Sequence, residues 1–483
     1  MKFVKLIRRI ETQTFLTFVL VLILISSCSS TRMSHSADKV SVGKTGYNIE
    51  LALEKEKNKT VLLAKYRGAK PYVTDTAKTD ANGKTAFTGD KPLAPGMYLI
   101  VTEKIPLFDF LISDTVNQTF GISTVKNKYG KTVTFSGSPE NEDFADYSDF
   151  LLKRQEREKA LKTQAKDSEA KERTDAELAS LIAQTEAKVR NIRAKYPGSL
   201  LESLATAMLQ VHPKSSEIPE NNRQQYMYEF YTKHYWDNIS LTDERMLDTP
   251  LLIPAIDNYF TSILLPIPDT IIRGVDFVLT KAQNNAVVLK YLAGHILDRY
   301  LESQIMGMEN VIIHIIDNYY LSGKIKIDDG KLREFAEYAR KNRPSLVGKQ
   351  AKDLRMQTVG GGVESLYDID APYTLVYIFD VSCGHCRQET PKIYRIFRDF
   401  RSKGLAGFCV YSRNDRSEWL EYLTKNELTD WINVWDPNNE TDFRTAYSVY
   451  SVPQVYLLDK NKKIIGRGLD SISLSRMLNN LLK

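Results

Sequence analysis

The stretch "YIFDVSCGHCRQETPKIYRIF", residues 377–397, decides how this chain is read. It begins with β-branched and aromatic residues, the composition of a buried strand. It ends with apolar side chains at helical spacing, with Pro391 among them. At the junction stand Cys383 and Cys386, separated by Gly384 and His385. A cysteine near a helix N-terminus faces backbone N–H groups without intrahelical acceptors and the positive end of the helix dipole. Both stabilise a thiolate and lower the pKa below the free value of about 8.5. His385 can add positive charge nearby when protonated. A second cysteine two positions on can close a disulfide and release a bound partner. Thiol–disulfide exchange needs that division: an accessible attacking thiolate, Cys383, and a resolving thiol, Cys386.

The chain has four cysteines in 483 residues. Cys409 lies in the apolar run "LAGFCVYS" and reads as a small buried hydrophobe. A zinc site would need about four ligands, and no second Cys-x-x-Cys or Cys/His pair exists. His234, His295 and His314 fall in separate helical segments without ligand spacing, so no metal and no cofactor is expected. A purely structural disulfide across so short a loop would constrain the unfolded chain little.

Cys28 belongs to a different pattern. A basic stretch precedes an apolar run over residues 15–25, too short for a comfortable membrane span but suited to a signal-peptide core. Ile25-Ser26-Ser27-Cys28 then resembles a bacterial lipobox. That resemblance implies a signal peptide over residues 1–27, diacylglycerol on the Cys28 thiol and anchorage in a lipid membrane. Residues 28–45, rich in Ser and Lys, read as a flexible tether.

The length implies about three globular domains. The formal net charge is +6, and Lys2, Lys5, Arg8, Arg9 and Glu11 leave the first eleven residues at +3. The remainder is too weakly and evenly charged to imply a nucleic-acid partner. Residues 46–137 alternate with period two between turn signals such as "DANGK" and "NKYGK", and predict an antiparallel β-sandwich. Residues 138–345 predict a helical middle domain. Its first part, 139–195, is dense in Lys, Glu, Arg and Ala and reads as one long helix or a helical hairpin with a break near 166–174. Residues 346–483 turn α/β: a hairpin around the glycines at 360–362, the buried strand "YTLVYIFD", a helix ending near Gly404, the strand "AGFCVYS", the helix "RSEWLEYLTKNEL", a hairpin across "KNKK" and a closing helix.

This last region resembles the thioredoxin-like domains of the TlpA/ResA type. The residues that carry the resemblance are Cys383-Gly384-His385-Cys386, Pro391 five positions later, Glu389 three positions after the second cysteine, and "SVPQVYLLDKNKKII" around Pro453. The resemblance implies a cis-proline at Pro453 that shapes the substrate-binding edge. Two positions depart from the wider thioredoxin pattern. Tyr377 stands where thioredoxins carry a buried aspartate, and Ser382 where they carry tryptophan. Glu389 is therefore expected to replace the missing proton acceptor, with partial burial raising its pKa toward the working range. The whole chain further resembles Gram-negative lipoproteins with a β domain, a helical middle and a thioredoxin-like end.

Together these readings point to a membrane-anchored, periplasm-facing thiol–disulfide oxidoreductase acting on protein thiols and disulfides, with a membrane redox partner as a further expectation. The rival from another class is a non-catalytic binding lipoprotein in which the thioredoxin-like module is scaffold. An intact cysteine pair speaks against that rival.

Overall fold

The structure is a computed structural model and describes residues 46–482 except Lys104, 128–129, 165–167 and Lys214. The expected signal peptide, Cys28 and the expected tether lie outside the described residues. By contacts the chain divides into two compact units, Met1–Leu265 with Thr280–Val288, and Pro266–Leu279 with Leu289–Lys483. The helical middle thus contributes to both.

In the first unit, eight strands form two four-stranded sheets. They are β1 (Tyr47–Leu53), β2 (Thr60–Arg67), β3 (Lys70–Lys78), β4 (Lys84–Gly89), β5 (Gly96–Thr102), β6 (Ile105–Ile112), β7 (Thr119–Asn127) and β8 (Gly130–Ser136), ordered β4-β1-β7-β8 and β3-β2-β5-β6. Alternation is what allows the sheets to face one another. Ile49, Leu51 and Leu53 project from β1 into the same core as Val61, Leu63, Tyr98, Ile100, Phe108 and Phe110 from the other sheet, the arrangement of a sandwich. Every pair is antiparallel except β1 with β7, which run parallel with Ile49 opposite Phe120. Period two reports which side chains face inward, and is silent on the direction of the neighbouring strand.

The charged segment that follows is a helical hairpin. Helices α1 (Pro139–Gln164) and α2 (Ser168–Lys195) run antiparallel, with Lys195 on Asp143, Arg157 on Glu177 and Arg154 reaching Thr185. Arg154 is buried, and its guanidinium is bonded to Glu158 as well as Thr185, which offsets the cost of removing the charge from water. Helices α3 (Leu200–Ala207), α4 (Arg223–His234), α5 (Leu252–Asn258), α6 (Pro268–Ala282), α7 (Ala286–Leu301), α8 (Glu309–Ile315) and α9 (Asp329–Asn342) complete the middle region. Among the described residues no helix is long and apolar enough to cross a membrane.

The C-terminal part of the second unit is built on a seven-stranded sheet ordered β10-β9-β13-β12-β11-β14-β15. Its strands are β9 (Arg355–Thr358), β10 (Val363–Ser365), β11 (Tyr373–Phe379), β12 (Leu405–Tyr411), β13 (Ile432–Trp435), β14 (Gln454–Asp459) and β15 (Ile464–Arg467). The central strands β11, β12 and β13 are parallel, while β9 and β14 join them antiparallel. Four further helices cover the sheet: α10 (Gly384–Arg401), α11 (Arg416–Lys425), α12 (Phe443–Ala446) and α13 (Ser471–Leu481). The unbroken apolar run of β11 is explained by burial on both faces. Leu375, Tyr377 and Phe379 pack under α10, α11 and α13, while Val376 and Ile378 pack on the opposite face with Phe443 and Tyr447.

Helix α10 follows directly from its spacing. Cys386, Glu389, Thr390, Ile393, Tyr394, Phe397 and Phe400 are its buried residues, one face of a helix of period 3.6. Pro391 lies on the exposed face. After Arg401 the chain turns through Gly404 at φ +102°, where a Cβ would lie 2.8 Å from Pro372. Only glycine fits that turn without a shift. The α/β order expected from sequence is present. Strand β13 and the short α12 were not expected, because "INVW" and "FRTA" are too short to show a period.

Candidate active site

Strand β11 ends at Phe379 and the chain turns through Asp380, Val381 and Ser382 into α10. Cys383 is the N-cap of that helix, with extended backbone, and its sulfur accepts the Cys386 N–H at 3.4 Å. Its thiol donates to the Val452 carbonyl at 3.6 Å. The Val452–Pro453 bond is cis, so the proline loop and the cap face one another across the sulfur. Gly384 and His385 are exposed, and a Cβ on Gly384 would meet nothing. The approach to Cys383 is open on that side.

The two thiols have opposite environments. Burial and the Asp380 carboxylate push the Cys383 pKa up. The Cys386 N–H, the Cys386 thiol and the His385 N–H outweigh them, so Cys383 lies below the ordinary cysteine value. Cys386 is only 1% exposed. Burial, reinforced by the Cys383 thiol and by charge on Cys383 and Asp380, pushes it up to about 12. Both are free thiols. The sulfur nearer the surface is therefore the more readily ionised of the two, and the other is held protonated beneath it.

Tyr377, at the position where thioredoxins carry a buried aspartate, enters a hydrogen-bonded chain that ends on Cys386. Thr390 Oγ1 donates to the Cys386 carbonyl at 2.7 Å, and the Tyr377 hydroxyl lies 2.8 Å from Thr390 Oγ1. With the threonine proton committed, Tyr377 is the donor in that pair. Tyr422 on α11 also faces Cys386. These groups stay neutral: burial raises both tyrosines.

Glu389 differs from expectation. Its carboxylate is largely covered, yet Lys392 Nζ sits 2.8 Å from Oε1 and the Ser471 N–H donates to Oε2 at 3.3 Å. Burial raises its pKa, but these partners outweigh burial and the net shift is downward. The expected rise is thus reversed, because a lysine one turn on and the N-terminus of α13 supply donors. Glu389→Gln should leave the alkylation profile of Cys383 superimposable on wild type from mildly acidic to mildly alkaline pH. The carboxylate's folded pKa lies below its unfolded one. Its stabilisation is therefore full above the unfolded value and is lost as pH falls through the folded value. Urea unfolding at neutral pH should show a loss of about 1 kcal/mol.

A second expectation concerns selectivity. Iodoacetamide should modify Cys383 in the folded chain with a midpoint below that of a free cysteine, and leave Cys386 and the buried Cys409 unmodified until unfolding. Peptide mass mapping checks this, and equal labelling of Cys383 and Cys386 would contradict the asymmetry.

The site also contains residues that sequence reasoning missed. Asp380 and Arg413 form an ion pair beside the cysteines, and Tyr422 reaches them from α11. The aspartate was visible three positions before Cys383; its partner, 33 residues away, was not. Among the described residues no group of three or more His, Cys, Asp or Glu is placed to hold a metal ion.

A strand-to-helix junction with a Cys-x-x-Cys cap opposite a cis-proline, on a sheet with covered faces, defines a thioredoxin-like domain. Residues 372–464 match the thioredoxin-like family model, and this region of the chain belongs to that family. Residues 47–144 and 153–342 match two models described as domains of unknown function, DUF4369 and DUF5106. A thioredoxin-like protein of Bacillus subtilis is 24% identical over 128 residues, 26% of this chain and 73% of that protein. A domain of a possible thiol-disulfide isomerase from Cytophaga hutchinsonii is 38% identical and aligns with 29% of this chain and 95% of its own, at a TM-score of 0.28. A thioredoxin-like protein from Bacteroides caccae aligns with 56% of this chain and 97% of its own, at 21% identity and a TM-score of 0.43.

Proposed function

We propose that the chain is a thiol–disulfide oxidoreductase acting on protein substrates through Cys383 and Cys386, tethered to a membrane through Cys28 and facing the periplasm. The observation that carries the activity is the asymmetry of the two thiols. A half-exposed cap thiol of lowered pKa stands over a buried one of raised pKa.

The Cys383 thiolate attacks one sulfur of a substrate disulfide. A bond forms between Cys383 and that sulfur, and the other substrate sulfur leaves as a thiolate that takes up a proton. Cys386 then gives up its proton to replace the one that the released substrate thiolate has taken up. Its sulfur attacks Cys383, breaking the bond between Cys383 and the substrate sulfur, which leaves as a thiolate. The substrate departs reduced, and the Cys383–Cys386 disulfide keeps the two oxidising equivalents. Run backwards, the same steps oxidise a dithiol. The Val452 carbonyl accepts from Cys383 only while that thiol is protonated, so ionisation or bonding of Cys383 to substrate frees the carbonyl to accept from a substrate N–H.

The test is turnover of an insulin-like disulfide protein by the full chain with a thiol reductant, together with the equilibrium of the cysteine pair against glutathione. Turnover no faster than that of the reductant alone would reject the reading. The tether is tested separately. Mass spectrometry of the native N-terminus should find Cys28 diacylated, and an unmodified Cys28 inside a mature chain would remove the anchor from the proposal.

A further inference from the structure

Asp380 takes no part in the exchange steps above, yet it closes the strand that delivers Cys383. Its side chain is buried, 5% of the residue remaining exposed, where a lone carboxylate would be costly. Three donors offset that cost. The Ser382 N–H and hydroxyl both reach Oδ1, at 2.9 and 2.8 Å, and Arg413 Nε reaches Oδ2. The two serine bonds fold an Asx-type turn, and the Cys383 N–H closes the same turn on the Asp380 carbonyl at 3.2 Å. The side chain therefore shapes the segment that sets Cys383 at the cap. Its charge works the other way, since the carboxylate opposes ionisation of both Cys383 and Cys386. Arg413, just beyond β12, has a side chain 60% exposed, so burial does not account for its place. Other ionisable groups around this cluster are Tyr377 on β11, Tyr411 on β12, Arg387 on α10, Asp415 at the cap of α11, and Glu418 and Tyr422 on α11.

We propose that Asp380 and Arg413 are paired positioning residues of the dithiol: the carboxylate holds the turn that presents Cys383, and the guanidinium cancels the charge the carboxylate would otherwise set beside the attacking sulfur. This rests on the reading of Cys383 as nucleophile. Two removals of charge then act in opposite directions. Asp380→Asn keeps an acceptor for the turn and leaves Arg413 unbalanced, which favours the thiolate. Arg413→Ala leaves the carboxylate unbalanced, which disfavours it.

The experiment is iodoacetamide alkylation of Cys383 against pH in the full chain, site-resolved by mass spectrometry, for wild type, D380N, R413A, R413K and the D380N/R413A double variant. At neutral pH, D380N should react about threefold to tenfold faster and R413A slower by a similar factor, with profiles displaced to lower and higher pH respectively. R413K should stay near wild type. The double variant should return toward wild type, because both charges are gone together. Shifts of one sign in both single variants, no shift in either, or a double variant worse than both would overturn the pairing. If D380N fails to fold, R413A and R413K still decide, since their side chain is exposed. Alkylation reads the thiolate without a substrate. Opposed shifts in a chain that turns over no disulfide would therefore sink the assigned activity and leave this pairing standing; turnover without those shifts would sink the pairing alone.

Discussion

Cys383→Ser should lower disulfide-exchange turnover by on the order of a thousandfold or more, and Cys386→Ser should lower it comparably while accumulating mixed disulfides. Both losses follow from the two-step exchange, but they leave the protein in different states. A serine hydroxyl at position 383 is a far weaker nucleophile than a thiolate, so the first bond to substrate does not form. A serine at 386 leaves the first step intact, since Cys383 keeps its exposure, its cap position and the Cys386 N–H, a backbone donor that the substitution retains. The second step is then blocked. Cys386 cannot take over as attacker in the Cys383 variant, because it is buried and its pKa is pushed up to about 12. Non-reducing electrophoresis of each variant, recovered with its disulfide partners, checks the assignment. Equal trapping by both variants would refute it.

Trp419→Ala should cost about 3–5 kcal/mol, the range for deleting a large buried aromatic. For a unit of this size, that corresponds to a fall in Tm of about 10 °C. Trp419 is fully buried on α11 and stacks on Tyr411 of β12 at 5.5 Å between ring centroids, with planes 6° apart. Trp435 from β13 packs on it at 5.8 Å. Its indole N–H makes no hydrogen bond among the described residues, so the loss is one of packing alone. Tyr411 leads directly into Ser412 and Arg413, which places this core beneath the active-site rim. Thermal unfolding of the full chain measures the effect, and a change under 1 °C would contradict the packing.

How much of this was legible depended on the range of the interaction responsible. The cap position of Cys383 could be read from the string because helix ends are local. An apolar strand meets a helical period, and the residue at the junction inherits the unsatisfied N–H groups. The buried face of α10 was legible for the same reason, each contact residue being one turn from the next. The hairpins around 360–362 and "KNKK" carried their own turn chemistry. Pro453 was legible only through family resemblance, since nothing in "SVPQV" alone distinguishes a cis bond.

What the string could not determine depends on partners distant in sequence. Glu389 and Asp380 are both carboxylates within six residues of Cys383, and sequence reasoning chose the former as the group to be raised and overlooked the latter. Glu389 is lowered first by Lys392, three positions on and visible in the string, and then by Ser471, 82 residues away, while Asp380 is met by Arg413, 33 residues away. The same holds for the parallel pairing of β1 with β7 and for strand β13, which gains its place only between β12 and β9. Backbone periodicity specifies which face of an element is apolar, and the sequence by itself determined that much here, along with the cysteine pair and its cap. Which charge meets which carboxylate, and so which direction a pKa moves, was decided by the tertiary structure, because Coulomb and hydrogen-bond energies act over a few ångströms of space whatever the separation along the chain.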